Sequence, residues 1–223
     1  MASDRGARRP EAGAGLWLNA LLPALKQFDC LLERAVAAAP SAYGQKAAAD
    51  VYRGLSIGKD DVERLLAREP GEPVVHARGA DAEADQPEGV ADGSRLAWLR
   101  RAFDLSPFDI DLLLIALTLE VDLRYERLYA YLQDGVTRRR PSVDLALSLL
   151  CTSAETKVLG RAHFCADSPL TRRVLLRLIT DPHQVEPPLA ARSPKLDEQS
   201  VRFALGQDGM DERLVSFVRL LGR

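Results

Sequence analysis

Apolar residues follow one another almost without interruption from Phe108 to Leu119. A helix that is apolar on all sides is buried on all sides, and a run of about twelve residues is too short to cross a bilayer. Ser106 and Pro107 precede the run and have the chemistry of a helix start. Asp109 lies three residues after Ser106, as in a capping box. The pattern therefore predicts a buried central helix with the other elements packed around it.

Helical spacing of apolar residues and capping residues predict further helices on both sides of this run. Before it, the predicted helices are one capped by Asn19 that ends at Pro40, one over 59–68 with Val62, Leu65 and Leu66 on its inner face, and one over 95–103. After it, they are one capped by Asp122 and ended by Gly135, one over 143–151 capped by Ser142, one opened by Thr152 with Glu155, one from Ser168 to Ile179, one capped by Asp197 and closed by Gly206, and one over 211–221.

Prolines at 182, 187 and 188 interrupt the helical pattern near the C-terminal end. Around them, residues 184–186 and 189–193 are predicted to form a small β-hairpin. The order helix, short β wing, helix is that of a winged-helix variant. The predicted fold class is therefore mainly α, with a helical N-terminal region and a winged-helix-like helical domain that carries a small β wing.

Composition divides the chain into five parts. Residues 1–17 form a Gly-, Ala- and Arg-rich tail that is expected to be disordered, and 18–69 form an N-terminal helical region. Residues 70–93, rich in Pro, Gly and acids, are predicted to be a flexible acidic linker. The winged-helix-like domain covers 94–206, and 207–223 contain the last helix.

The overall composition is that of an ordinary soluble globular protein, with a net charge of −2. This charge gives no global attraction to nucleic acid or to anionic lipid. No secretory signal is recognisable, so we expect a cytoplasmic protein without a membrane segment. The three cysteines, Cys30, Cys151 and Cys165, have no zinc-site spacing and are expected to be reduced, buried thiols.

No motif for catalysis or for cofactor binding stands out. The loop GLSIGK over 54–59 has one residue too few between its glycines for a Walker A loop, and an acid follows its lysine. The histidines His76, His163 and His183 have no catalytic or ligand partner nearby in sequence, and are expected to be ordinary core or surface residues. Acid pairs such as Asp109 with Asp111 fit the favourable dipole position at a helix start. We therefore predict no catalytic residue, no metal site and no cofactor; a deep polar pocket would favour an enzyme instead.

The densest basic cluster consists of Arg138, Arg139 and Arg140, and Arg172 and Arg173 lie in a later helix. In a winged-helix domain such residues meet a DNA backbone, which makes a DNA-binding regulator the alternative hypothesis. Because the chain as a whole is slightly acidic, DNA binding is disfavoured relative to a solvated loop or a subunit contact with acidic partners.

Three tyrosines occur on the helix that precedes the basic cluster. Tyr125 and Tyr129 are four residues apart and are predicted to pack together in the core. Tyr131 points elsewhere and is a candidate contact with a partner or with nucleic acid, although the pattern favours packing in the core over a partner surface.

Three segments carry a resemblance to a known family. They are LSPFDIDLLLIAL (105–117), DLRYERLYAYLQDGVTRRRPSVDLAL (122–147) and PKLDEQSVRFALGQDGMDERL (194–214). Together they resemble the region that precedes the ATPase module in bacterial AAA+ ATPases encoded with phage-tail-like contractile injection systems. VYRGLSIGKDDVERLLARE (51–69) is similar to the N-terminal part of the same group.

The resemblance implies a non-catalytic recognition or regulatory domain that contacts an injection-system protein or client. In that family ATP and magnesium bind to the module that follows, through which ring-shaped oligomers form. None of that module's Walker or arginine-finger elements occurs in this sequence, so no catalytic residue carries over. The last helix would then lead toward an ATPase module that this sequence lacks.

Overall fold

The computed structural model describes residues 16–44, 58–75, 90–182 and 184–207, with side chains from residue 20 onward. The helices are α1 (Leu16–Tyr43), α2 (Lys59–Ala67), α3 (Arg95–Phe103), α4 (Pro107–Val121), α5 (Arg124–Leu132), α6 (Val143–Leu150), α7 (Ala154–Gly160), α8 (Pro169–Arg172) and α9 (Glu198–Ala204). The strands are β1 (Leu176–Ile179) and β2 (Ser193–Leu196), and short 3-10 turns occupy Arg161–Phe164 and Leu189–Ala191. The predicted fold class, mainly helical with a small β wing, is confirmed.

Helix α4 is the buried centre of the fold, as predicted. Its residues Ile110, Leu112, Ile115 and Leu117 are completely buried. The helix begins at Ser106, whose hydroxyl accepts a hydrogen bond from the backbone N–H of Asp109, and the Asp109 side chain accepts one from the backbone N–H of Ser106. Helices α1, α3, α5 and α6 and strand β2 all pack against α4.

Helix α1 belongs to the same hydrophobic core as the helices of the predicted winged-helix domain. Its buried face, which includes Leu25, Phe28 and Leu32, packs on α3, α4, α5 and α6. The helix begins before Asn19 and continues past Pro40, so both predicted ends are wrong. It stops instead at Gly44, which has a positive φ of 87° and donates its N–H to the Pro40 carbonyl. A positive φ is the conformation in which glycine commonly ends a helix.

Two helix boundaries need correction by one or two residues. Asp122 caps α5 as predicted, because its Oδ1 accepts a hydrogen bond from the backbone N–H of Arg124 at 2.8 Å, but Gln133, not Gly135, follows the end of the helix. The capping box of α7 is made by Ser153 and Thr156, not by Thr152 and Glu155. The neighbouring hydroxyls of Thr152 and Ser153 offer equivalent caps, so spacing alone does not decide between them.

The predicted helix from Ser168 to Ile179 is wrong over most of its length. Helix α8 has only four residues, and Val174 adopts a positive φ of 56° that turns the chain into β1. Strand β1 pairs antiparallel with β2, with Leu176 opposite Leu196 and Ile179 opposite Ser193. Strand β1 therefore lies outside the two segments predicted for the wing, and β2 shares only Ser193 with them. The proline-rich residues 180–182 and 184–192 belong to the connection between the strands.

Helix α2 forms nearly where predicted but does not bury its apolar face. Val62, Leu65 and Leu66 are 43%, 59% and 81% exposed. The start of the predicted flexible linker also behaves differently, because Val75 is completely buried and Val74 donates its backbone N–H to Ser148 Oγ at 3.4 Å. The division of the chain at residues 70–93 stays a prediction.

Two cysteines depart from the expected burial, since Cys30 and Cys165 are exposed and only Cys151 is buried. Several predicted features lie outside the described residues: most of the tail, the GLSIGK loop before Gly58, His76, His183 and the helix over 211–221. Among the residues that the structure describes, no helix combines the length and apolarity that a membrane crossing requires.

Candidate protein-binding surface

The loop between α5 and α6 is organised by one side chain, that of Gln133. Its Nε2 donates hydrogen bonds to the carbonyls of Arg138 (2.9 Å) and Arg140 (2.8 Å), and its Oε1 accepts one from the backbone N–H of Ser142 (3.0 Å). Ser142 in turn caps α6 by accepting a hydrogen bond from Leu145 N. The arginine run is therefore held in a defined loop between two helices.

The side chains of Arg138, Arg139 and Arg140 all reach solvent. Arg139 approaches Glu126 of α5, with 4.0 Å between Nη1 and Oε2, and is 69% exposed. A pair this open to water contributes about 0–1 kcal/mol to stability. The cluster therefore keeps most of its charge available to a partner.

Two concave surfaces meet at this loop, and we name them the wing cleft and the α5 groove. The wing cleft is an open depression of about 900 Å³ between the arginine loop and the wing connection, and Arg68, Ser148, Asp181 and Gln184 are among its lining residues. The α5 groove is about 550 Å³ and runs along the outer face of α5. Glu126 and Arg139 line both, so the two surfaces are continuous.

Helix α5, which forms one wall of the groove, is fixed to the core by its tyrosines, as their spacing predicted. Tyr125 donates a hydrogen bond to Asp29 Oδ1 at 2.7 Å, and Arg124 donates one to Asp29 Oδ2 at 2.6 Å. Burial raises the pKa of Tyr125, and the hydrogen bond to Asp29 raises it further, although Arg124 opposes the shift. Tyr129 is completely buried and hydrogen-bonded to Thr118 and to the Ile115 carbonyl, and burial also raises its pKa.

Tyr131 takes a different direction, also as predicted. It is half-buried, packs against the core and lines the α5 groove. Arg172 and Arg173 are exposed at the end of α8, and neither of them lines the wing cleft or the α5 groove. The structure therefore joins Tyr131 with the first arginine cluster and leaves the second cluster apart.

Two residues that line the wing cleft, Asp144 and Ser148, contact a buried lysine that the sequence analysis did not single out. Lys157 Nζ donates a hydrogen bond to Ser148 Oγ at 2.9 Å and forms an ion pair with Asp144 at 2.8 Å. A serine beside a lysine resembles a nucleophile with its base, but here the same Nζ is also paired with the Asp144 carboxylate. The geometry is that of a cross-link between α6 and α7.

His163, predicted to be an ordinary residue, does have a charged partner across the fold. Its Nδ1 lies 2.7 Å from Oδ1 of Asp109, and the Ser106 hydroxyl donates to Oδ2 of the same carboxylate. Burial by itself raises the Asp109 pKa, but the hydrogen bonds from His163 and Ser106 outweigh it, so the pKa is below 3.8. Because the hydroxyl contacts the carboxylate rather than the imidazole, the cluster stabilises the start of α4.

Sequence reasoning found the arginine run but missed Gln133, Leu123 and Val136. The available signal was Val136 itself, an apolar residue inside the polar segment DGVTRRR. Leu123 and Val136 are 68% and 67% exposed, at the two ends of α5. In the part of the chain that the structure describes, no three histidine, cysteine or acidic side chains gather into a metal-binding group.

The arrangement of α7, α8, β1, the wing connection, β2 and α9 agrees with a comparison to protein families. A family profile described as "Winged helix domain, variant" matches residues 78–218. The chain belongs to this winged-helix family. The match begins before the predicted domain boundary at residue 94 and ends beyond residue 206. It includes all the residues that line the two concave surfaces except Tyr43, Arg68 and Val74 of the wing cleft.

No curated protein and no solved structure matches the chain. Membership of the winged-helix family is compatible with protein recognition, with regulation and with DNA binding. It names neither an ATPase nor an injection system.

Replacement of Gln133 by alanine should loosen the arginine loop. The free energy of unfolding should fall by about 1–2 kcal/mol, because four backbone groups lose a hydrogen bond: the carbonyls of Tyr129, Arg138 and Arg140 and the N–H of Ser142. Amide hydrogen exchange at Ser142, whose N–H is bonded to Gln133 Oε1, should accelerate. Gln184→Ala on the exposed wing connection is the control, and it should change neither the free energy of unfolding nor the exchange rate of the Ser142 amide. If exchange at Ser142 is unchanged in Gln133→Ala, the Gln133 side chain does not hold the loop.

Proposed function

We propose that this winged-helix domain is a non-catalytic recognition domain that binds a protein partner through the surface around the α5–α6 loop. One observation carries the proposal: three exposed arginines lie on a loop fixed by Gln133, where the wing cleft and the α5 groove join. Arginine in a fixed position favours bidentate contacts with carboxylates, and a neighbouring apolar surface supplies the desolvated contact that affinity requires.

The finer form of the proposal places the domain in a bacterial AAA+ ATPase that assembles or remodels a contractile injection system. Its support is the resemblance of the segments over 105–117, 122–147 and 194–214, together with the winged-helix family match. In this proposal the partner is a cytoplasmic injection-system protein or client. ATP and magnesium bind to an ATPase module, and that module also forms the oligomer.

Co-purification with each structural component of the cognate injection system tests the proposal. The wild-type chain should retain at least one component, and the triple variant Arg138→Ala, Arg139→Ala, Arg140→Ala should lose roughly 90% of it, as expected when central contacts are removed. The double variant Arg172→Ala, Arg173→Ala is the matched control and should bind normally. Retention of no component, or equal retention by both variants, would contradict the proposal.

DNA binding is the second candidate, favoured by the same arginines beside a wing. Against it, the helix that precedes the wing has four residues, too few to lie along a major groove, and the wing connection carries Asp181 and Glu186. A mobility shift with duplex DNA at low salt should show no retardation. Retardation that weakens with salt and in the Arg138–Arg140 triple variant would favour the DNA-binding regulator.

A further inference from the structure

Among the residues that the structure describes, the α5 groove presents an apolar surface that is open to solvent. Leu123 and Val136 stand at its two ends with about two thirds of each side chain exposed, and Ala130 and Tyr131 lie between them. A nine-residue helix is about 13 Å long, so the groove matches roughly two and a half turns of a second helix. Apolar anchors at helical spacing are what such a groove recognises.

The groove is already shaped before any partner arrives. Tyr125 and Arg124 tie α5 to Asp29 of α1, and Gly135 donates its N–H to the Ala130 carbonyl at 3.1 Å, which fixes the turn that carries Val136. A preformed site loses less conformational entropy on binding than a site that must first become ordered.

The lining of the groove balances two arginines, Arg127 and Arg139, against two acids, Glu126 and Asp134. Arg138 and Arg140 on the adjoining loop add two exposed positive charges, and Glu126 is the ion-pair partner of Arg139. A partner that presents carboxylates beside its apolar residues therefore complements this rim.

We propose that the α5 groove binds an acidic amphipathic helix of a partner protein, with apolar side chains against Leu123, Tyr131 and Val136 and with carboxylates against Arg127 and the arginine loop. The inference rests on the proposed recognition function and specifies its partner. The chain's own 208–223 segment carries as many arginines as acids, and a second copy would place one arginine-rich rim against another. Both are therefore poorer occupants than an acidic helix supplied by another protein.

The probe is a fluorescein-labelled helical peptide of about 15 residues, with leucine at positions i, i+3, i+4 and i+7 and mainly glutamate elsewhere. Anisotropy should show binding to the full chain that weakens as salt is added. A peptide with lysine in place of glutamate, and one of the same composition in scrambled order, should bind at least about tenfold more weakly. Equal binding of the lysine or the scrambled peptide would overturn the proposal.

Two pairs of variants locate the site. Val136→Asp should weaken binding of the acidic peptide by about tenfold or more, because it places a charge in the apolar contact, whereas Val185→Asp on the 94% exposed wing valine should not. Arg127→Glu should weaken binding in the same way, and Arg172→Glu should leave it unchanged. Circular dichroism checks that all four variants remain folded. If both Val136→Asp and Arg127→Glu bind the acidic peptide as tightly as the wild type does, the proposal is overturned.

The failure of this inference is distinguishable from failure of the proposed function. If the acidic peptide does not bind while an injection-system component still co-purifies in an Arg138–Arg140-dependent manner, recognition stands and the α5 groove is not its helix site. If the chain's own segment occupies the groove instead, removal of residues 208–223 will increase peptide affinity by about tenfold or more, which also overturns the assignment of the groove to a partner.

Discussion

Truncation of Leu117 to alanine is expected to lower the free energy of unfolding by about 4 kcal/mol, near the upper part of the range for leucine in a core. Leu117 is completely buried in the middle of α4, the helix against which the surrounding elements pack. It also lines a small apolar gap of about 10 Å³ together with Leu113, Leu175 and Leu196. Removal of the side chain beyond Cβ would enlarge this gap.

Urea unfolding followed by circular dichroism measures the change. Leu66→Ala on α2 is the matched control, because the same atoms are removed from a side chain that is 81% exposed, and its effect should stay within about 0.5 kcal/mol. Comparable losses in the two variants would contradict the central position of α4. A Leu117→Ala protein that is fully unfolded in buffer would agree with it, and Leu117→Met then gives the smaller effect that can be measured.

The elements that sequence reasoning placed correctly are those whose determinants are local. Ser94, Ser106, Ser142 and Asp197 each precede a helix and each accepts a hydrogen bond from its first turn. A short side chain that caps its own turn needs no tertiary contact to be recognised. The continuous apolar run of α4 was equally informative, because few surroundings other than a core accommodate it.

The elements that were misplaced depend on contacts between distant residues. Leu170, Val174, Leu175, Leu178 and Ile179 fit the spacing of a helix. The chain nevertheless turns at Val174 and pairs Leu176 with Leu196. Short apolar segments fit either structure, and tertiary pairing decides between them. The apolar face of α2 is a related case: its spacing indicated an inner face, but the described residues leave it in solvent.

The candidate surface was predictable only in part, for the same reason. The three arginines are consecutive in the sequence and can be recognised there. The hydrogen bonds of Gln133 to the carbonyls of Arg138 and Arg140 form only when the loop is folded, so the sequence alone does not reveal them. Leu123 and Val136 are thirteen positions apart and come to line one groove because α5 lies between them. The sequence therefore shows where positive charges cluster, whereas only the fold shows which apolar residues lie next to the arginines.

Replacement of Asp109 by asparagine is expected to cost about 2–3 kcal/mol at neutral pH, because the charge-assisted hydrogen bonds from His163 and Ser106 are lost in a buried position. Asp60→Asn is the matched control. Asp60 also lies in the first turn of a helix but is exposed, so its replacement should cost no more than about 0.5 kcal/mol.

The dependence on pH distinguishes a lost charge from a general packing defect. The Asp109 carboxyl has a pKa below its ordinary value of 3.8 in the folded chain, since the hydrogen bonds that favour the carboxylate outweigh the opposing effect of burial. The unfolded chain therefore binds this proton at a higher pH than the folded chain, and the stabilisation is complete above about pH 4 and is lost as the pH falls through the folded pKa. Urea unfolding of both proteins from neutral to acid pH should show the difference between wild type and Asp109→Asn shrinking only in the acid range. A difference that stays constant down to the lowest pH at which both proteins fold would mean that the carboxylate charge is not what holds the start of α4.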